Sequence, residues 1–169
     1  MRCRTASGLC TALLLVLVIG CSGRSSEDEK QAKETFLAFE AAVKAKDPDK
    51  IWDLLATDSR EDADRAAKTL KEAYLKADTK EKKAEQEKKA GLKGDELTGL
   101  TGRLFLKSNQ FHSGEAEELP GSTFESVVVT GDQAKVTYIE NTPKKEEEKL
   151  KLVRENSKWK VAWKIEARP

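Results

Sequence analysis

The hydrophobic period of this chain changes at Pro120. Before that proline, large apolar residues recur every three or four positions, which indicates amphipathic helices. After it, apolar and polar residues alternate, which indicates strands with one face in water. Helices followed by an antiparallel meander predict an α+β fold, in which N-terminal helices pack on one face of a curved, roughly four-stranded antiparallel sheet. We expect one domain over 31–169, with helices within 31–107 and strands within 122–166.

The helical half begins with a stripe that includes Phe36 and Phe39. Asp47 is predicted to cap the next helix, and Pro48 suits its first position because a missing N–H costs nothing there. From 76 to 89 the residues are helix formers without a large apolar side chain, so a solvated helix is expected.

Leu97, Leu100 and Leu104 then recur at helical spacing. This spacing predicts one further helix, which Gly99 and Gly102 weaken because glycine loses much backbone freedom in a helix. The helical half is therefore expected to end by residue 107.

Two dipeptides punctuate the strand half. Gly131-Asp132 and Asn156-Ser157 are turn pairs between alternating segments, so each predicts a hairpin. The final segment alternates most clearly, with one face formed by Trp159, Val161, Trp163 and Ile165 and the other by lysines. That apolar face is expected to be the buried face of the sheet.

The N-terminus has the layout of a secretory signal peptide. Arg2 and Arg4 precede an apolar run from Leu9 to Ile19 that only Thr11 interrupts. An uncleaved transmembrane helix is the alternative, but serine and glycine residues dilute both ends of the apolar segment, and a span needs roughly 20 apolar residues. The sequence therefore favours cleavage after residues 1–20.

The residues Val18, Ile19, Gly20 and Cys21 resemble the lipobox of bacterial lipoproteins. The resemblance implies cleavage between Gly20 and Cys21, a diacylglyceryl group on the Cys21 thiol, and a further acyl chain, such as palmitate, on the new amino group. It also implies a protein of the bacterial cell envelope, held to the membrane by lipid and facing the periplasm or the exterior. Two chains make such an anchor stable.

Cys3, Cys10 and Cys21 are the three cysteines of the chain, so the mature protein would keep only the lipidated one. A disulfide, a thiolate nucleophile and a cysteine metal site are thereby excluded from it. Residues 22–30 contain no apolar residue, and we expect them to form a flexible tether of at most roughly 30 Å.

Formal charges nearly cancel, with 31 Lys plus Arg against 30 Asp plus Glu. Nucleic-acid binding would need basic residues segregated on one face, so none is predicted. The residues also suggest no cofactor and no metal site, because one histidine and no free cysteine cannot build a usual zinc site.

The stretches FLAFEAAVKAKDPDKIWDLLATDSR, from Phe36 to Arg60, and KLKLVRENSKWKVAW, from Lys149 to Trp163, resemble the cystatin-like, nuclear transport factor two-like superfamily. The resemblance is to its small uncharacterised bacterial lipoproteins. It implies a curved antiparallel sheet wrapped around a helix as a cone, often with a pocket at the open end. Many members place a hairpin between the second and third helices, whereas 57–78 here is predicted to be helical, so the existence of a pocket stays open.

Enzymes of that superfamily, such as ketosteroid isomerase and scytalone dehydratase, use tyrosine, aspartate and histidine side chains inside the cone. Here His112 is the single histidine and lies in a polar connecting segment, which favours a surface role. Tyr138 could present its hydroxyl to a cavity with Asp53 or Asp58 as partner, or be a core tyrosine with one satisfied hydrogen bond.

Trp52, Trp159 and Trp163 are either core residues or the aromatic walls of a pocket. No catalytic constellation is visible beyond the tyrosine and carboxylate pair. The sequence therefore favours a membrane-anchored module that binds a small apolar ligand or a protein partner, or has a structural role. An isomerase or dehydratase-like enzyme with a cone pocket is the alternative.

Overall fold

Helices and an antiparallel sheet pack against each other, which confirms the predicted α+β class. The computed structural model describes residues 22–166, so the signal peptide and Cys21 lie outside the described residues. Within this part the elements are α1 (Ser22–Lys44), α2 (Pro48–Leu54), α3 (Thr57–Lys76), α4 (Lys80–Ala90), α5 (Gly94–Thr98), α6 (Gly102–Phe105), a π-helical turn (Phe111–Glu115), β1 (Thr123–Thr130), β2 (Gln133–Ile139), β3 (Glu147–Glu155) and β4 (Lys158–Ala162).

The start of α1 corrects one expectation. Where the sequence predicted a flexible tether over 22–30, the helix begins at Ser22. Asp28 on this first part of α1 forms an ion pair with Arg154 of β3 at 2.7 Å, and both side chains are only 16% exposed. Ala32, one turn further on, is fully buried. A contact that is distant in the sequence therefore fixes a segment whose own composition is that of a solvated coil.

Capping residues set the ends of the next helices. The Asp47 carboxylate accepts a hydrogen bond from the Lys50 N–H at 3.1 Å, and Pro48 occupies the first turn of α2, as predicted. The single helix predicted across 97–104 is two short ones, because α5 ends at Thr98 with Gly99 as its C-cap, and the Thr101 hydroxyl caps α6.

The sheet has the order β1-β2-β3-β4, and each neighbouring pair is antiparallel. Both predicted turns are confirmed, since Gly131-Asp132 joins β1 to β2 and Asn156-Ser157 joins β3 to β4. Asn156 and Ser157 both have positive φ, 48° and 63°. That backbone is the one which two-residue hairpins require, because its twist matches that of the strands.

The core lies between α1 and the inner face of the sheet. Phe36 and Phe39 of α1 are fully buried there, as are Val136, Leu152 and Val161 of the strands. The edge of β4 is covered by the α2–α3 junction, where the Ala56 N–H donates to the Val161 carbonyl at 2.8 Å. The other long edge of the sheet is formed by β1.

The last apolar stripe is buried for the most part, as expected. Trp159, Val161 and Ile165 are buried, and Trp163 is partly buried with its ring 5.3 Å from that of Phe39. The strand itself ends earlier than the alternation predicts, because β4 stops at Ala162. The chain after Ala162 leaves the sheet ladder, and Trp163 and Lys164 form one wall of a cleft.

Candidate functional site

The cleft opens where β3 and the end of β4 separate. The ladder between the two strands ends at the pair Lys151 and Ala162, although β3 continues four residues further towards its own start. Beyond Ala162 the chain is held by α3 instead. The Trp163 N–H donates to the Ser59 hydroxyl at 2.8 Å, and the Ile165 N–H lies 3.5 Å from an Asp62 carboxylate oxygen.

The cleft has a volume of roughly 380 Å³. Tyr138 of β2 and Leu150 of β3 lie along it on the sheet. Trp163 contributes from the diverging chain, and Glu118 and Leu119 contribute from the loop before β1. Four separate parts of the sequence therefore meet around one opening.

Tyr138 is the central polar residue of the cleft. It is only 8% exposed, and its ring lies 5.4 Å from that of Phe36 on α1. Burial, followed by the charges of Glu148, Glu140 and Glu118, raises the pKa of Tyr138 to about 12. These three carboxyl groups border the same cleft as Tyr138. The hydroxyl forms no hydrogen bond with another group that the structure describes, and it is not one of the fully buried atoms without a partner, so it is open to the cleft.

A pair of glutamates stands beside the tyrosine. Glu140, the residue directly after β2, is 8% exposed and forms a hydrogen bond with the Glu118 carboxyl group. Burial raises the pKa of Glu140, and this hydrogen bond and the neighbouring carboxylate charges act in the same direction. The Thr142 hydroxyl is a further neighbour at 3.5 Å. Such a pair can hold a proton between two carboxyl groups and exchange it for a cation.

The tyrosine does not meet either aspartate that the sequence offered as its partner. Asp53 and Asp58 are both exposed, and neither lines the cleft. Asp53 instead accepts from the Arg60 guanidinium through its backbone carbonyl at 3.2 Å. The tyrosine and carboxylate combination exists, but with Glu140 and Glu118 in the place of the predicted aspartates.

The three tryptophans have three different environments. Trp159 is buried in the core with the Arg154 guanidinium 4.3 Å from its ring centroid. Trp52 is partly buried under two arginines, Arg60 and Arg103, and does not line the cleft. Trp163 alone of the three is a wall of the cleft.

His112 lies away from the cleft, in the π-helical turn. It is half-buried rather than on the surface, and its Nε2 atom is buried without a hydrogen-bond partner among the groups that the structure describes. Burial lowers the pKa of His112, and the charge of Lys46 acts in the same direction. The imidazole is therefore neutral in the folded protein at pH 7, and it lines a second cavity of roughly 360 Å³ with Val43 and Asn109.

The low pKa of His112 predicts a loss of stability in mild acid. Because the folded protein binds this proton less readily than the unfolded chain, whose histidine titrates near pH 6.5, His112 stabilises the fold above that pH. This contribution is lost as the pH falls through the folded value. Unfolding in denaturant at pH 7.5, 6.5 and 5.5 should show a smaller decrease for His112→Gln than for the wild type, and equal decreases would contradict the prediction.

Neither a metal centre nor a membrane-spanning helix is found in the described part of the chain. No group of three or more His, Cys, Asp or Glu side chains between 22 and 166 is placed to hold a metal ion. No helix in the same range is both long and apolar enough to cross a bilayer.

Comparisons with protein-family models, with curated proteins and with solved structures find no match for this chain. The resemblance to cystatin-like lipoproteins thus stays a prediction from the sequence. Function is therefore inferred from the residues of the cleft.

Proposed function

We propose that the protein is a lipid-anchored module of the bacterial cell envelope, whose domain binds a ligand or partner segment in the cleft beside Tyr138. The anchor is supported by the signal-peptide layout and by the lipobox residues ending in Cys21. The binding role is supported by one observation above all: Tyr138 lines the cleft, and its hydroxyl is accessible there and forms no hydrogen bond with another described group. A hydroxyl that is open to a cleft and free of protein partners can donate a hydrogen bond to a ligand or accept one from it.

Acid–base catalysis is a second candidate for the same cleft. Tyr138 and Glu140 border one opening, and burial raises the pKa of both groups, which favours the protonated form of each. Groups of this kind act in ketosteroid isomerase and scytalone dehydratase, two enzymes of the superfamily that the sequence resembles. Binding is the better supported role, because catalysis also needs an orienting partner for the proton donor, and Tyr138 has none among the described residues.

A hydroxyl kept for binding should add nothing to stability, and this can be measured. Tyr138→Phe removes the oxygen and leaves the ring on Phe36, so the free energy of unfolding should stay unchanged or rise by up to about 1 kcal/mol. Tyr74→Phe is the matched control, because the Tyr74 hydroxyl donates to the Glu87 carboxylate at 3.1 Å and its removal should destabilise the fold.

Denaturant unfolding of both variants and of the wild type shows whether the Tyr138 hydroxyl contributes to stability. If Tyr138→Phe is destabilised as much as Tyr74→Phe, the hydroxyl serves the fold. The observation that supports binding is then lost.

A further inference from the structure

We propose that the cleft binds an extended segment of a partner protein, which adds a short strand along the free part of β3 and directs a lysine or arginine side chain towards Glu148 and Tyr138. This inference rests on the proposed binding role of the cleft and specifies its ligand. It follows from the free backbone of β3, from the gap that the chain leaves beside it, and from the charge on one face of that gap.

The first half of β3 has a free backbone edge. Two backbone hydrogen bonds on the β2 side show the direction of the backbone groups. The Glu140 N–H donates to the Glu146 carbonyl at 3.0 Å, and the Arg154 N–H donates to the Asp132 carbonyl at 2.9 Å. The even-numbered residues between 146 and 154 therefore direct their backbone N–H and C=O groups towards β2. Odd-numbered residues alternate with them and face β4. Because β4 ends opposite Lys151, the backbone groups of Glu147 and Lys149 face the cleft instead of a strand.

The fold keeps this edge open. Ser59 and Asp62 hold Trp163 and Ile165 against α3, so the chain after β4 does not return to β3. The resulting gap is lined by Lys149 on one side and by Trp163 on the other. An added strand needs a spacing of about 4.8 Å from its neighbour, and peptides bind other exposed sheet edges in this way.

Charge determines which side chain fits the inner face. Glu148 and Tyr138 are register partners, so they share the face of the sheet that Glu118 and Glu140 border. The residue of an added strand opposite Glu148 would point to this same face. A basic side chain there forms an opposite-charge pair across the strands and reaches the phenol oxygen of Tyr138.

The lysines around the cleft do not oppose this pairing. Lys149 and Lys151 alternate with the buried Leu150, so their side chains lie on the outer face of the sheet. Lys149 is also paired with Glu147 at 3.3 Å, and Lys164 is paired with Glu166. The inner face therefore presents carboxyl groups to an incoming cation.

The test uses the full chain in detergent and a fluorescein-labelled peptide of alternating threonine and valine with one central lysine. Binding is followed by fluorescence anisotropy. Replacement of the peptide lysine by norleucine should weaken binding about tenfold, which corresponds to about 1.4 kcal/mol. Glu148→Gln should weaken binding of the lysine peptide to a similar extent, and Glu125→Gln, an exposed glutamate of β1, should not.

Backbone pairing is tested by N-methylation of the peptide. The residues beside the lysine direct their N–H groups to β3, so methylation of the residue directly after it should weaken binding about tenfold through the loss of a hydrogen bond. The N–H of the lysine itself faces away from β3, and its methylation is the control. Equal effects of the two methylations, or equal affinity of the lysine and norleucine peptides, would overturn the inference.

A negative result separates the two proposals. If no peptide binds, but butylammonium chloride quenches the fluorescence of the wild type and not that of Trp163→Phe, the peptide inference fails and the binding cleft stands. If neither probe binds and Tyr138→Phe is destabilised, both proposals fail.

Discussion

Replacement of Cys21 by alanine is expected to abolish incorporation of labelled palmitate in a bacterium that processes lipoproteins. The thiol is the predicted acceptor of the diacylglyceryl group, and cleavage before residue 21 follows that modification in proteins with a lipobox. The variant should therefore also accumulate at precursor size, while the wild type is found at mature size in the membrane fraction. Both effects should be close to all-or-none, because Cys21 would carry the whole of the proposed anchor.

Cys10→Ala is the matched control for this experiment. Cys10 lies within the apolar run of the predicted signal peptide, so its replacement should leave both labelling and processing unchanged. Palmitate in the Cys21→Ala protein, or equal amounts of soluble protein at mature size from Cys21→Ala and wild type, would contradict the proposed anchor.

Replacement of Phe36 by alanine is expected to lower the free energy of unfolding by about 3–5 kcal/mol, as large-to-small changes in a protein core do. Phe36 is fully buried, and its ring lies 6.1 Å from that of Phe124 and 5.4 Å from that of Tyr138. It is therefore the point where α1, β1 and β2 meet. Unfolding in urea, followed by tryptophan fluorescence, measures the loss.

Leu37 provides the control on the same helix turn. It is 43% exposed, so Leu37→Ala removes little buried area and should cost less than about 1 kcal/mol. Similar losses for the two variants would show that the helix presents a different face to the sheet.

Local patterns predicted much of this fold. Turn chemistry is a property of two residues, and both predicted dipeptides, including Asn156-Ser157, join strands in the structure. The cap at Asp47 is equally local, since its partner is the Lys50 N–H three residues away. Features determined by adjacent residues can be inferred before any contact between distant ones is known.

Distant contacts account for the misplaced boundaries. Periodicity predicts that the last strand continues past Ala162, but the strand gives way to bonds with Ser59, more than a hundred residues earlier in the chain. The helix that begins at Ser22 is likewise fixed by the pair between Asp28 and Arg154. Hydrogen bonds and ion pairs between residues far apart in the chain cannot be predicted from the pattern of neighbouring residues.

The cleft was only partly accessible from the sequence. Tyr138 was a candidate, and Glu140 could have been found with it, because residues two apart on a strand share a face. Glu118 comes from a loop whose course depends on the whole fold. Its hydrogen bond with Glu140 could therefore not be predicted.

If the proposed lipid anchor holds the protein at a membrane, the outer edge of β1 has a further consequence. Copies confined to one lipid leaflet collide far more often than copies in bulk water, and a β-rich edge such as TFESVVVT invites sheet-to-sheet aggregation, with Val128 62% exposed. The β-bulge between Phe124 and Ser126 interrupts the regular spacing of that edge and places Glu125 there. The bulge makes edge-to-edge pairing of two copies less favourable than a regular strand would, so it favours the monomer when copies are crowded in one leaflet.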